Sequence, residues 1–282
     1  MHDDPDAGFV APPAPLTPLE VFVASIEHLP LFTGIAAQLI RSVDDESITA
    51  SELARQISTD VALVAQLMRL VNSPYYGLRR GVATVGDAIA VLGLNLVRRV
   101  VIAAVLQRPL YAYMHDTRAT RDFWRHQLLC ALLARHLHQH KGLNGEVAYM
   151  AGLLHDVGRL VMFIKNPQQV DAMLEDRSID DDAALVRERE RFGFDHAVVG
   201  AALLERWDVP DSMVVSAGCH VEKTEPDDPL AATVWRANLL AHQLYDEGAA
   251  PFDAANFPGS AVTADVCEQI LEEVTAFEGA TA

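Results

Sequence analysis

The chain is short of positive charge. Its 282 residues hold 22 lysines and arginines against 39 aspartates and glutamates, a formal net charge of -17. A field of that sign repels polyanions, which excludes general affinity for nucleic acid or an anionic membrane. Two basic pairs, Arg79-Arg80 and Arg98-Arg99, read as solvated surface arginines. Cysteine is also scarce. Cys130, Cys219 and Cys267 are three, widely spaced and without zinc-type or disulfide spacing. Cys130 and Cys219 sit among apolar helical residues and read as small core side chains, a pattern that fits a reducing compartment. A basic start followed by an apolar run is missing. Instead Met1 to Pro18 is rich in proline, alanine and aspartate, which predicts a flexible leader over 1–18 and no signal peptide. The longest apolar stretch, Val85 to Leu106, is interrupted by Asp87, Asn95, Arg98 and Arg99, so it is no membrane span. The expected location is the cytoplasm. No serine-nucleophile elbow, phosphate loop or dinucleotide fingerprint occurs.

Helical signals fill what remains. Half the residues are hydrophobic, enough for a large core. Apolar residues recur at helical spacing over Leu19 to Leu29 and Phe32 to Val43. Thr49 to Glu52 forms a capping-box pattern, Asp60 caps the stripe Val61, Val64, Leu67, Met68 and Val71, and Thr84 with Asp87 caps the next helix. Further helices are expected from Asn95 to Leu106, from Thr120, from Asn144, from Asn166-Pro167, from Ser178, from Asp195, from Val209-Pro210, from Asp228-Pro229 and from Thr263. Gly158 is expected to bend or interrupt its helix. Asn72-Ser73-Pro74-Tyr75-Tyr76-Gly77 is turn chemistry and predicts a corner between helices. No alternating pattern competes, so the fold class is all-α, a multi-helix bundle.

One dipeptide carries chemical information. His155-Asp156 lies within Leu153-Leu154-His155-Asp156-Val157-Gly158-Arg159-Leu160, and a carboxylate in so apolar a setting needs a cation or hydrogen bonds. Arg159 or helix-terminal N–H groups could satisfy it. So could a metal, since imidazole with carboxylate suits zinc, manganese, iron or nickel. Successive helical positions point about 100° apart, so other helices must complete any site; His126, His196 and His220 are candidates. His136, His138, His140, His242 and His28 read as surface residues.

The sequence resembles the HDOD domain, a degenerate relative of the HD and HD-GYP phosphohydrolases. Ile57 to Val64, Leu67 to Gly77, and Val85 to Gly93 carry the first half of the likeness. Phe123 to His126, Gly152 to Gly158, Asp195 to Ala201, Trp207 to Pro210 and Ala237-Asn238 carry the second. The resemblance implies two helical halves, residues 19–110 and an HD-like 111–245, followed by a C-terminal loop and helix over 246–282. It implies a bacterial signal-transduction module, non-catalytic, that works through a signalling protein partner or a small anionic ligand. On the phosphohydrolase pattern, His126, His155, Asp156, His196 and His220 align with metal ligands. Asn238 stands where an aspartate is expected, and Val221 where a further histidine is. An amide is a weak ligand and brings no negative charge. The expectation is therefore no cofactor, or a divalent transition metal at low occupancy, with catalytic residues absent. The alternative is a metal-dependent phosphohydrolase acting on a nucleotide or cyclic dinucleotide.

Overall fold

The computed structural model describes residues 17–26, 38–40, 49–78, 81–114, 117–166, 181–245 and 262–281. Most of the leader, most of the helix expected over Phe32 to Val43, and the helix expected from Pro167 lie outside the described residues. Within them the chain is all helical, with no strand. The helices are α1 (Pro18–Ser25), α2 (Ala50–Ile57), α3 (Val61–Val71), α4 (Val85–Leu92), α5 (Leu94–Met114), α6 (Arg118–His140) and α7 (Gly145–Leu154). After these come α8 (Val157–Lys165), α9 (Asp181–Phe192), α10 (His196–Arg206), α11 (Asp211–Cys219), α12 (Pro229–Tyr245) and α13 (Ala264–Thr281).

Side-chain caps set many of the starts. Thr49 Oγ1 accepts from the Glu52 N–H at 3.2 Å, and Asp60 accepts from the N–H groups of Ala62 and Leu63. These bonds satisfy amides that the first helical turn leaves without partners. Asp60 also receives a forked pair from Arg108 at 2.6 and 3.0 Å, which ties α3 to α5. The Asn72 block is the expected corner. The Asn72 amide donates to Met68 O and Val82 O and accepts from the Val82 N–H, closing the loop around a 3-10 turn at Pro74–Tyr76.

Several expectations need correction. The long helix α6 is capped by Thr117, whose hydroxyl accepts from the Thr120 N–H, so it begins earlier than Thr120. Arg98 and Arg99 are buried, because α5 turns that face onto the core. Arg99 reaches Glu146 at 2.6 Å and lies over the Tyr149 ring. His138 is buried against Thr233, 3.1 Å from its hydroxyl. Cys130 is a core residue as expected, but Cys219 is only half-buried.

Helices α6 and α7 cross closely at Gly152. A methyl group there would lie 2.9 Å from Ala131 Cα and from Cys130 O, so the spacing admits only glycine. Helix α12 packs on both, and α10, α11 and α8 close the other side. The stretch Gly145–Lys165 is apolar and long enough to cross a bilayer by composition, yet 89% of its most apolar window is buried in the fold, where it serves as core. The last helix, α13, buries Cys267, Ile270, Val274, Phe277 and Ala280 against α3 and α6. Its flanks are fixed by Arg69 Nε donating to Ala280 O at 2.8 Å and by an Arg125–Glu278 ion pair at 2.8 Å.

Candidate metal centre

Helix ends build the centre. α7 stops at His155, Asp156 occupies the turn, and α8 starts at Val157. The break therefore falls at the His155-Asp156 pair itself and not at Gly158. Gly158 has a different task. A Cβ there would sit 1.9 Å from His196 O and 2.5 Å from Gly200 N, so its bareness lets α8 press onto the start of α10. Asp195 caps α10 by accepting from the Val198 N–H, which fixes His196 at the first helical position. His220 closes α11. His126 comes from α6 and Asn238 from α12. All six residues expected from the sequence meet in one buried region.

Exposure decides what the region can do. His155 is 1% exposed, Asp156 2%, His196 1%, His220 4%, Asn238 5% and His126 9%. Burial favours the uncharged imidazole. It pushes His155 down to about 3, and holds His126, His196 and His220 well below the ordinary histidine range.

The hydrogen bonds then fix which nitrogen is bare. His155 Nδ1 lies 2.6 Å from Gly152 O, and His220 Nδ1 2.7 Å from Ala217 O. A carbonyl only accepts, so each Nδ1 carries the proton and each Nε2 presents its lone pair. His196 Nδ1 lies 2.7 Å from Glu188 Oε2, and the same oxygen accepts the His196 backbone N–H at 2.9 Å. That assigns His196 the same tautomer. His196 Nε2 and His220 Nε2 consequently face each other at 3.3 Å with no proton between them. Asp156 Oδ1 lies 3.5 Å from His196 Nε2. His155 Nε2 is buried and has no hydrogen-bond partner.

These donors fit a divalent transition metal. Zinc–nitrogen and zinc–oxygen bonds of about 2.0–2.1 Å in a tetrahedron leave ligand atoms about 3.3 Å apart. The 3.3 and 3.5 Å separations match that edge. The ligand atoms of Asp156, His196 and His220 all lie within 4.8 Å of one another. A second ring nitrogen bonded to carbonyl or carboxylate is the usual support for a metal-binding histidine.

An internal cation competes for the same carboxylates. Arg159 Nη1 lies 3.3 Å from Asp156 Oδ2, and its Nε 3.9 Å from Glu188 Oε1. Arg159 Nη2 is 3.3 Å from both nitrogens of His196, so it lies against the ring without favouring either lone pair. Gln127 also donates to Asp156 Oδ2 at 3.4 Å. Arg159 is thus the arginine that the sequence offered as a partner for Asp156. Glu188 was missed. It sits in Arg187-Glu188-Arg189-Glu190-Arg191, which looks like a solvated face; the signal was its i,i+3 spacing from buried Leu185. Burial raises the Glu188 carboxyl above its ordinary value, with Arg159 opposing. His242 is exposed as expected, yet its ring centroid lies 4.5 Å from that of His126.

Comparison with known proteins follows this geometry. Residues 29–223 match the family model of the HDOD domain. An uncharacterized protein of Treponema pallidum (strain Nichols) is 25% identical over 233 residues; the match takes in 81% of this chain and 44% of that protein, so the chain spans under half the length of this curated relative. The crystal structure of an HDOD domain protein of unknown function from Geobacter sulfurreducens superposes with a TM-score of 0.68 at 25% identity, covering 92% of this chain and 91% of that one. A protein from Shewanella amazonensis SB2B, provisionally described as a phosphohydrolase, superposes with a TM-score of 0.69 at 23% identity, covering 93% and 98%. The latter likeness is one of fold.

Proposed function

The chain belongs to the HDOD-domain family, and on that premise we propose that it is a regulatory signal-transduction module that does not turn over a substrate. The observation that carries this reading is the sealing of the centre. Its five innermost residues are each at most 5% exposed, and Arg159 lies among its carboxylates. A phosphoester must bring a reactive oxygen against the metal's open position. Here helix ends and Arg159 occupy the approach. The cavity beside Asp156, lined by Gln127, Leu153, Leu154 and Leu160, measures about 10 Å³, room for about one water molecule.

His155, Asp156, His196 and His220 are the residues that would hold a divalent transition metal. A bound metal would supply Lewis acidity and would offset the buried negative charge. The protein's own contribution is positional. Gly152 O and Ala217 O orient His155 and His220, Glu188 orients His196, and Arg159 holds Asp156 and Glu188 together. Such a centre pins the ends of α7, α10 and α11 to one point, which makes their relative placement the quantity a signal would alter. Output through a protein partner is supported by exposed apolar residues in the first half, Val61 at 83%, Val91 at 52% and Tyr75 at 40%. The charge of -17 favours a neutral or basic partner surface over nucleic acid.

The second reading, a metal-dependent phosphohydrolase acting on a nucleotide or cyclic dinucleotide, is favoured by the convergence of four donors. Asn238 argues against it, because the missing carboxylate leaves a dication less well neutralised. The deciding experiment incubates protein loaded with Mn2+, Ni2+ or Zn2+ with bis(p-nitrophenyl) phosphate and with a cyclic dinucleotide. The expected rate equals that of the metal-only blank. Turnover that disappears in His155→Ala would sink the regulatory reading.

A further inference from the structure

On the solvent side of the buried centre lies a feature outside the ligand set described above. His126 of α6 and His242 of α12 bring their rings to 4.5 Å between centroids, tilted by 40°. His242 is exposed, while His126 is almost fully buried and lies 5.4 Å from the His155 ring. One turn before His242, on the same face of α12, stands Asn238. Its side-chain nitrogen donates to His220 O at 3.4 Å, and its Oδ1 is buried without a hydrogen-bond partner. The Asn238 amide also lies near enough to both His126 and His155 to favour their protonated forms. An unpartnered carbonyl oxygen and two converging imidazoles thus share one edge of the centre.

We propose that His126 and His242, with Asn238 Oδ1 behind them, form a second, solvent-facing position for a divalent transition metal, in which His242 supplies the donor that the uncharged residue one turn earlier does not. The inference rests on the reading that the buried cluster takes such a metal. Its chemistry follows from the donor set. Two imidazoles and an amide oxygen are neutral, so they select zinc, nickel or copper over magnesium or calcium, which want anionic oxygens. With no carboxylate among the donors, the outer position binds more weakly than the inner one, where Asp156 contributes charge. Solvent completes its coordination, because His242 is exposed.

The test is calorimetric titration of the chelator-stripped full chain with Zn2+, beside His242→Ala and, as a control for stray surface histidines, His140→Ala. His242 is exposed, so its replacement leaves the fold intact, which circular dichroism checks. The expected result is two binding events in the native chain and in His140→Ala. In His242→Ala the weaker event falls at least tenfold in affinity and the tighter one is unchanged. Asn238→Asp, which adds a charge to the donor set, strengthens the weaker event. Two events that both survive in His242→Ala overturn the proposal. A single event, indifferent to His242→Ala, overturns it too but leaves the buried position standing. No binding at all removes both.

Discussion

Acid should unfold the metal-free protein well before its carboxylates titrate. Four imidazoles, His126, His155, His196 and His220, are kept neutral by burial; His155 is brought to about 3 and the others far below the ordinary range. In the unfolded chain each titrates near 6.5. A group whose folded value is depressed contributes stability that is present above the unfolded value and drains away as pH falls below it. Between pH 7.5 and 5.5 each such histidine costs about 1.4 kcal/mol, because the unfolded chain takes up a proton that the folded one refuses. Four together approach about 5 kcal/mol, comparable with the whole stability of many domains, about 5–15 kcal/mol. The assay is urea unfolding of chelator-treated protein at the two pH values, with His155→Asn alongside. The asparagine amide can still donate to Gly152 O, as the imidazole Nδ1–H does, but it binds no proton. The native chain is expected to lose several kcal/mol, and the variant about 1.4 kcal/mol less than the native chain. A flat or rising stability on acidification, or an equal loss in the variant, would refute the reasoning.

Other perturbations probe the supporting frame. Gly158→Ala places a methyl group into His196 O, so it should cost about 3 kcal/mol or more and abolish Zn2+ uptake, read by denaturation and by elemental analysis. Arg159→Met leaves Asp156 and Glu188 without their shared cation; a loss of about 3–5 kcal/mol is expected, and adding Glu188→Gln should recover part of it in a double-mutant cycle. Zn2+ supplied at about one hundred times its dissociation constant should stabilise the native chain by about 2.7 kcal/mol in thermal melts, an effect that vanishes in Asp156→Asn.

How far the sequence announced this outcome depended on whether a residue's task was local. The caps at Thr49, Asp60 and Asp195 and the Asn72 corner were legible, since each bonds within a few positions of itself. His155-Asp156 was legible because a carboxylate in an apolar run demands a partner. Arg98, Arg99 and His138 were misjudged for the opposite reason. Their partners, Glu146 and Thr233 among them, lie on other helices, and no local pattern signals a buried cation that meets its carboxylate 47 positions away. Glu188 was hidden by alternating charges around it. Gly158 looked like a breaker because a glycine in a helix usually costs stability; its actual role, clearance for the α10 backbone, belongs to packing between helices.

The bond from Arg69 to Ala280 joins residues 211 positions apart. Early and late segments therefore share one interface, and contacts of such long range slow folding because a large loop must close before they repay its entropy. While the chain is being synthesised, the seat that Phe277 and Ala280 will fill, formed by Leu70, Val100 and Trp124, waits uncovered. A nascent or truncated polypeptide ending before residue 264 would carry that greasy scar, and with it a tendency to aggregate or to engage chaperones.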